Sequence, residues 1–562
     1  MKKTSNIRLR LVLIGFAVLF LLLVIRLFYW QVVNAEDLKD YGLSQSTESL
    51  DVPASRGQIL ASDGFALATN KISYLVYANP RLVSDKDVYA QKLSGLLDMD
   101  QATISALLSR KLFWVRLESG LNDVQKKAID NLHLDGIGFE QQQERFYPEA
   151  SMAAQLIGFV GKDAYGNQQG YFGLEGYYND QLEGRSGSLY VIKDALGNPV
   201  INDIRQEKKI DGRNLVLTLN RTIQYDTQTA LEQGVVKYGG ESGTAIVMDP
   251  QTGKVLAMAQ VPNFDPQIYY NFPGESYVNQ AVSDLYEPGS TFKVLVMSAA
   301  IDMNLVKPET QCNICAGPVP IDSYKIETWD NKYFPNTTMT DVIQHSDNTG
   351  MVFVGRKLGV DNLVSYLKNY GIDETTGIDL QGEVSGTMRP KDQWGAIDLA
   401  TASFGQGISV TPIQLLTAVS AIANGGSLMK PYVVDKIITD DGKEIAIKPQ
   451  VKRRVIKEST SQIMTWMMVN AVENGESKWT KIDGYKIAGK TGTAQIPVAG
   501  HYDPKNTNAS FVGFFPADKP RFAILVIVNK PKTSIYGSET AAPIFFQIAQ
   551  DLINEYNIPP SQ

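Results

Sequence analysis

A long apolar run near the start of the chain is the clearest feature in its pattern of hydrophobic and polar positions. Every residue from Leu11 to Ile25 is apolar or glycine, and after Arg26 the run continues to Trp30. An α-helix needs about 20 such residues to cross a bilayer. The pattern therefore predicts a transmembrane helix over residues 11–30, preceded by a short tail over residues 1–10.

The charges on the two sides of this run differ in sign. They are Lys2, Lys3, Arg8 and Arg10 before the run, and Glu36, Asp37 and Asp40 after it. Because positive charge stays on the cytoplasmic side, we expect the N-terminus inside and the rest of the chain outside the cytoplasmic membrane. A signal peptide cleaved near Val33–Ala35 is the competing interpretation. That site lies far beyond the apolar core, so we expect a retained single-pass anchor.

Two regions of different pattern follow the anchor. Residues 34–225 are interrupted by turn sequences, which predicts a mixed α+β scaffold or interaction module with short strands. Residues 226–562 contain longer apolar segments. The predicted strands are Gly243–Met248, Lys254–Ala259, Tyr485–Ala488, Ser510–Phe515 and Phe522–Val528, and helices are predicted at Thr411–Ala423 and Ala542–Tyr556. This order predicts an α+β domain, a five-stranded antiparallel sheet with a helical subdomain inserted between its strands.

Composition narrows the classes of function. A chain of 562 residues is expected to fold as two or three domains, and its net charge of −7 gives no indication of nucleic-acid binding. It has two cysteines and three histidines, and no histidine lies at ligand spacing, so we expect neither a metal nor a cofactor. Cys312 and Cys315 are interpreted as either a local disulfide or two free thiols.

The first candidate motif is S-x-x-K at Ser290 and Lys293. Pro288 and Gly289 stop a helix from continuing through from upstream, so Ser290 is expected at a helix N-terminus. Lys293 then lies one turn on and on the same face. A serine needs a base to act as a nucleophile, and a lysine becomes a base only when burial or a nearby cation lowers its pKa. The motif alone is weak evidence for a catalytic serine, since a serine at this position is more often an ordinary helix N-cap. A second S-x-x-K at Ser427 is interpreted as a helix end.

The second candidate motif is Ser346-Asp347-Asn348. Ser346 is suited to pass a proton between Lys293 and a leaving group, and Asn348 to hydrogen-bond a substrate amide. A turn or a helix cap is the ordinary interpretation of such a triplet. His345 adjoins the motif, but Lys293 already supplies the base, so we interpret His345 as structural.

The third candidate motif is Lys490-Thr491-Gly492-Thr493, on a strand-like segment. Lys490 supplies a cation, and Thr491 and Thr493 supply hydroxyls for a substrate carboxylate. Gly492 allows a substrate backbone to approach closely. A P-loop is excluded because no glycine-rich loop precedes Lys490 in the required pattern.

The three motifs in this order are the signature of penicillin-binding proteins and class A β-lactamases. The chain resembles the class B penicillin-binding proteins, which are monofunctional peptidoglycan D,D-transpeptidases, over nearly its whole length. Further stretches that carry the resemblance are Arg26–Tyr29, Arg56–Leu60, Arg145–Pro148, Gly158–Gly161, Gly173–Gly176 and Phe404–Gly407. The phrase Asp284–Ser290 is similar to the division-type subgroup rather than the elongation-type one.

The resemblance implies a mechanism of two acyl transfers. Ser290 attacks the carbonyl between two terminal D-alanines of a stem peptide, Lys293 takes its proton, and Ser346 relays a proton to the departing D-alanine. An amine on a neighbouring stem peptide then attacks the ester. Asn348 orients the donor, and the N–H groups of Ser290 and Thr493 form the oxyanion hole. The donor carboxylate is held by Lys490, Thr491 and Thr493, and β-lactams acylate Ser290.

The resemblance also implies domains and partners. Residues 34–225 are expected to form an elongated pedestal or dimerisation-type domain, and residues 226–562 the transpeptidase domain. The implied partners are a membrane-embedded glycan polymerase and other division proteins.

Three alternatives stay open. A β-lactamase is disfavoured because the only E-x-x-L-N pattern, Glu118–Asn122, precedes Ser290. A D,D-carboxypeptidase would differ only in its acceptor. A catalytically silent division scaffold is disfavoured by the intact Ser290, Lys293 and Lys490. A β-lactam sensor, the other possibility of this class, would need a cytoplasmic signalling output, yet only about ten residues precede the predicted span.

Overall fold

The computed structural model describes residues 2–164, 166–192, 205–498 and 501–561. Helices up to residue 238 are α1 (Lys2–Phe28, followed by a π-helical turn at Tyr29–Val33), α2 (Ala35–Ser46), α3 (Lys86–Leu97), α4 (Gln101–Leu108), α5 (Asp123–Asp130), α6 (Ala154–Ile157), α7 (Gly173–Tyr177), α8 (Asn179–Leu182) and α9 (Arg221–Tyr238). Strands in this part are β1 (Thr47–Val52), β2 (Ile59–Leu60), β3 (Ala66–Ala78), β4 (Val115–Leu121), β5 (Ile137–Phe146), β6 (Phe159–Lys162), β7 (Gln168–Tyr171), β8 (Gly187–Ile192), β9 (Arg205–Glu207) and β10 (Asn214–Leu217).

Helices in the remainder are α10 (Gln280–Ser283), α11 (Lys293–Asp302), α12 (Met339–Gln344), α13 (Asn348–Asn369), α14 (Ala396–Ser403), α15 (Pro412–Ala423), α16 (Glu458–Asn474) and α17 (Ala541–Glu555). Strands here are β11 (Ser242–Met248), β12 (Val255–Val261), β13 (Val319–Ile321), β14 (Tyr324–Ile326), β15 (Ser427–Met429), β16 (Val434–Ile438), β17 (Glu444–Ala446), β18 (Val451–Arg454), β19 (Ala488–Val498), β20 (His501–Phe515) and β21 (Phe522–Asn529). Short 3-10 turns occur at Pro266–Asn271, Gly274–Tyr277, Gly289–Phe292, Lys391–Gln393 and Lys478–Thr480.

The chain divides into two compact units. The first comprises Met1–Ser55 and Gly184–Asp211, where β8 pairs antiparallel with β1 and with β9. It also holds the segment Asn6–Val33, which is the one helix in the described residues long and apolar enough to cross a membrane. The predicted run from 11 to 30 lies within that segment, which fits a single-pass membrane protein.

The second unit comprises Arg56–Glu183 and Gly212–Gln562. One of its sheets has the order β17-β16-β10-β2-β3-β4, with β5 also paired to β3. Strands β16 and β17 come from residues 434–446, and the other five strands come from the N-terminal part of the unit, up to residue 217. Helices α3, α4 and α5 enclose a small apolar core against β3 and β4. The predicted domain boundaries near 34 and 225 stay predictions.

A buried ion cluster lies in this N-terminal part. Glu175 is fully buried and accepts hydrogen bonds from Arg56 Nε at 2.7 Å and from Arg145 Nε at 2.6 Å. Arg145 also donates to the carbonyl oxygen of Gly57 at 2.8 Å. Both guanidinium groups are buried as well, so the pairing compensates charges that would otherwise be costly to remove from water. These residues come from three of the stretches that carry the family resemblance, which therefore meet at one structural cluster.

The C-terminal part is built on the predicted five-stranded sheet. Its order is β12-β11-β21-β20-β19, and every neighbouring pair is antiparallel. The α+β fold with a five-stranded antiparallel sheet is therefore confirmed. The predicted strand Tyr485–Ala488 was misplaced, because β19 begins only at Ala488 and continues through the K-T-G motif.

Alternate residues of this sheet enter two different cores. Val247, Val526 and Phe511 pack under α9 and α17, which cover one face. Ile246 and Leu525 face the opposite way, into the core that contains α11 and α15. Strand side chains alternate between faces, so each strand ties both helical layers to the sheet and fixes the position of α11.

The segment between α11 and α12 carries the hairpin β13–β14 and one wall of the cleft described below. Cys312 and Cys315 form a disulfide at the start of this segment, and both residues are buried. This settles the alternative between a disulfide and two thiols.

Candidate active site

Ser290 lies in the single 3-10 turn Gly289–Phe292 that leads directly into the buried helix α11. Gly289 has φ +56°, a backbone conformation that other residues rarely adopt. Its N–H donates to the carbonyl oxygen of Gly405 at 3.0 Å, which holds the turn against the loop that follows α14. Ser290 is half-buried at the surface of a cleft. The predicted helix N-terminus is thus present, with a 3-10 turn in place of an α-helical one.

Lys293 is completely buried one turn after Ser290. Its Nζ donates to the carbonyl oxygen of Ser346 at 2.5 Å, to Asn348 Oδ1 at 2.7 Å and to Ser346 Oγ at 3.3 Å. Among the hydrogen bonds of the described residues, Lys293 Nζ makes none to Ser290 Oγ. The expected direct contact is therefore not formed in the free protein. Catalytic hydrogen bonds in unliganded enzymes are often long and tighten only when substrate binds.

The environment of Lys293 favours the neutral amine. Burial is the main cause, and the neighbouring Lys490 cation is the second; together they lower the pKa of Lys293 to about 7. Asp347 and Glu476 act in the opposite direction. A lysine with such a pKa is available as a general base near neutral pH. Burial also lowers the pKa of Lys490, while Glu476 opposes this shift.

The S-D-N motif connects the two lysines. Ser346 Oγ accepts a hydrogen bond from Lys490 Nζ at 3.0 Å in addition to the one from Lys293. Ser346 has φ +57°, an uncommon conformation for a non-glycine residue that is often found at functional sites. Asp347 caps α13 by accepting from Thr349 N at 2.7 Å. The motif therefore supplies both a helix cap and a hydroxyl between two amines.

Asn348 and His345 differ in their surroundings. Asn348 Nδ2 donates to the carbonyl oxygen of Glu327 at 3.0 Å, and its Oδ1 faces Lys293, so the amide is fixed in orientation. His345 is exposed, and its ring lies 5.8 Å from that of Phe334. No hydrogen bond of the described residues joins His345 to either lysine. Its interpretation as structural stays a prediction.

Strand β19 places the K-T-G motif along the same cleft. Lys490 Nζ donates to Thr491 Oγ1 at 3.0 Å, and Thr491 Oγ1 in turn donates to Glu476 Oε2 at 2.7 Å. Thr493 Oγ1 accepts from the N–H of Gly537 at 3.1 Å. Thr491 and Thr493 line the cleft together with Glu476.

Gly492 is required by packing inside the protein. A Cβ at this position would lie 2.3 Å from Ser510 Oγ and 2.9 Å from Thr291 Cγ2. The strand can therefore lie against the turn that carries Ser290 only if residue 492 has no side chain. Its predicted role in admitting a substrate backbone stays a prediction.

The cleft has a volume of about 440 Å³, in the range of small-molecule sites. Five of the predicted site residues line it, namely Ser290, Ser346, Asn348, Thr491 and Thr493. Lys293 and Lys490 are buried behind this lining, and both contact the Ser346 hydroxyl that forms part of it. Trp329 and Tyr536, whose rings lie 5.4 Å apart, also line the cleft.

Glu476, Trp329 and Tyr536 also line the cleft, although no sequence pattern predicts a role for them. Each is a single residue outside the motifs. The second S-x-x-K sequence is not part of this site: Ser427 begins strand β15 and is absent from the cleft lining.

The chain is similar to known proteins in both sequence and structure. The penicillin binding protein transpeptidase domain matches residues 243–550, and the penicillin-binding protein dimerisation domain matches residues 51–217. Stage V sporulation protein D of Bacillus subtilis is 34% identical, over 99% of this chain and 88% of its own. The peptidoglycan D,D-transpeptidase FtsI of Escherichia coli K12 is 31% identical, over 95% of this chain and 89% of its own. The crystal structure of penicillin binding protein 2X from Streptococcus thermophilus superposes with a TM-score of 0.75 at 25% identity, over 91% of this chain and 80% of that one.

Proposed function

Since the chain belongs to the division-type class B penicillin-binding proteins and is a peptidoglycan D,D-transpeptidase, we propose that its reaction passes through a covalent acyl-enzyme on Ser290. The observation that carries this proposal is the convergence of Ser290, Ser346 and the two buried lysines on one cleft. Domain boundaries at 34–225 and 226–562 belong to the same proposal.

In the first step the Ser290 hydroxyl attacks the carbonyl carbon between the two terminal D-alanines of a stem peptide. Its proton passes to the neutral amine of Lys293, whose lowered pKa supports this role. The peptide bond then breaks, and the departing D-alanine amine takes a proton through the Ser346 hydroxyl. That hydroxyl lies between the amines of Lys293 and Lys490, so a proton can be replaced from either side.

In the second step an amine on a neighbouring stem peptide attacks the Ser290 ester and releases the serine. Charge on the carbonyl oxygen in both steps would be stabilised by the N–H groups of Ser290 and Thr493. Loss of one such donor typically costs 10²–10³ in rate, or about 3–4 kcal/mol. Asn348 is fixed by its contacts with Lys293 and Glu327 and would orient the donor amide.

The donor carboxylate is assigned to the part of the cleft lined by the threonines of the K-T-G motif. Lys490 supplies the charge, and Thr491 and Thr493 supply hydroxyls on the lining. β-Lactams resemble the D-Ala-D-Ala end and carry a carboxylate in the same place, so they would acylate the same serine. An anchor with its N-terminus in the cytoplasm would keep the catalytic unit at the outer face of the membrane. A glycan polymerase and other division proteins are the proposed partners.

Mass spectrometry of the full-length protein after exposure to penicillin tests the acyl-enzyme. The expected result is one adduct, on Ser290. The variant Ser290→Ala should keep its thermal unfolding midpoint and lose the label, and an adduct on any other residue would refute the assignment. A donor–acceptor peptide pair separates transpeptidation from the carboxypeptidase alternative. Cross-linked dimer is expected, whereas release of D-alanine alone would favour the carboxypeptidase.

A further inference from the structure

The hydroxyl of Thr491 already has a carboxylate partner within the protein. Thr491 Oγ1 donates to Glu476 Oε2 at 2.7 Å while accepting from Lys490 Nζ at 3.0 Å. A hydroxyl has only one proton to donate. Thr491 therefore cannot donate to a ligand carboxylate while it donates to Glu476. A ligand assigned to this hydroxyl has to displace Glu476 from it.

The charges around Thr491 also oppose the binding of an anionic ligand. Glu476 is half-buried, lines the cleft and interacts electrostatically with both Lys293 and Lys490. The other carboxylate close to Lys293 is Asp347, which is buried and is held by the N-terminal N–H groups of α13. With Lys293 neutral, Lys490 is the cation that faces Glu476. An anionic ligand would therefore enter a place where the lysine charge is already balanced.

We propose that Glu476 is a specificity determinant of the donor subsite, where its carboxylate competes with the carboxylate of the ligand for Thr491 and Lys490. The inference rests on the proposed function, since it takes these residues as the carboxylate site. Glu476 thereby lowers the rate at which donor peptides and β-lactams with a free carboxylate acylate the protein, relative to the rate that the lysine and the two threonines alone would give. Ligands with a neutral group at this position still compete for the Thr491 hydroxyl, but they are not repelled by the charge of Glu476 and do not compete with it for the Lys490 cation.

The test compares two probes on the full-length protein, a penicillin with its free carboxylate and the methyl ester of the same penicillin. The readout is the ratio of their second-order rate constants for acylation of Ser290. Glu476→Gln removes the charge and keeps an oxygen that can accept from Thr491. It should raise the ratio of acid to ester about tenfold, the effect of one unit charge a few ångströms away in a partly solvated site. Any change in the basicity of Lys293 alters both probes alike and cancels in the ratio.

Glu473→Gln is the matched control. Glu473 is exposed on α16 three residues earlier, so its variant removes the same charge outside the cleft and should leave the ratio unchanged. An unchanged ratio in Glu476→Gln, whether or not both rates fall, would overturn the proposal, because it would mean that Glu476 only positions Thr491 or sets the basicity of Lys293. If the wild-type protein were not acylated at Ser290 by either probe, the proposed function itself would fail.

Discussion

Replacing Lys490 by methionine should raise the pKa of Lys293 and move the pH dependence of Ser290 acylation with it. Both amines donate to Ser346 Oγ, at 3.3 and 3.0 Å, so the two nitrogens are no more than about 6 Å apart. At an effective dielectric constant near 20, two unit charges at that distance repel by about 3 kcal/mol, or roughly two pH units. Burial of Lys293 persists in the variant, so its pKa should rise from about 7 without regaining the ordinary lysine value.

The direction of the shift in pH dependence depends on which protonation form of Lys293 reacts. The neutral amine of Lys293 accepts the Ser290 proton, so acylation should increase with pH through the pKa of Lys293 and then level off. In the wild type this increase is centred near pH 7. In Lys490→Met it should be centred roughly one to two pH units higher. The plateau should also fall, because Ser346 loses a hydrogen bond, but the midpoint is independent of the plateau.

Stopped-flow acylation by a chromogenic cephalosporin, from about pH 5 to about pH 11, measures that midpoint. Lys481→Met is the control, since Lys481 is an exposed lysine close to β19 in sequence. It should leave the midpoint unchanged. A midpoint in Lys490→Met that stays at the wild-type value, or moves down, would contradict the electrostatic coupling and the identity of the base.

Two further predictions concern packing. Glu175→Ala should lower the free energy of unfolding by about 3–5 kcal/mol in a denaturant titration, because the substitution leaves two buried guanidinium groups unpaired. Glu183→Ala is the control: it removes an exposed carboxylate and should change the free energy of unfolding by less than about 0.5 kcal/mol. Gly492→Ala should slow penicillin acylation about 100-fold, because its Cβ would overlap Ser510 and displace β19 from the Ser290 turn. Gly95→Ala, with nothing within 4 Å of the added Cβ, should leave acylation unchanged.

Each motif could be predicted from sequence because its residues are close together in the chain and its local geometry follows from their types. A helix start after Pro288 and Gly289 follows from the backbone limits of those two residues. The long apolar strands of residues 226–562 carry enough periodicity to predict the five-stranded sheet. The start of β19 was placed too early, because the alternating pattern before Ala488 is equally compatible with the loop that precedes it.

Other features depend on contacts between residues far apart in sequence, and sequence patterns do not show them. Glu476 enters the cleft from the loop after α16, and nothing in its neighbouring residues distinguishes it from an exposed glutamate. The same holds for Arg56, Arg145 and Glu175, whose segments resemble the family although their sequence shows no physical reason for it. Their pairing in a buried cluster supplies that reason.

The expected hydrogen bond between Lys293 and Ser290 is missing from the described part of the chain, which shows that helical spacing alone does not predict which acceptor a lysine side chain contacts. Two residues three apart on a helix share a face, yet a lysine side chain has enough freedom to choose among several acceptors within its reach. The strained backbone of Ser346 turns its carbonyl oxygen towards Lys293, and Asn348 Oδ1 lies beside it. A protonated amine with these two acceptors is well satisfied, whereas a neutral amine must present a lone pair to some donor. The Ser290 hydroxyl is such a donor at the cleft surface, so loss of the Lys293 proton is itself expected to favour the contact that starts the reaction.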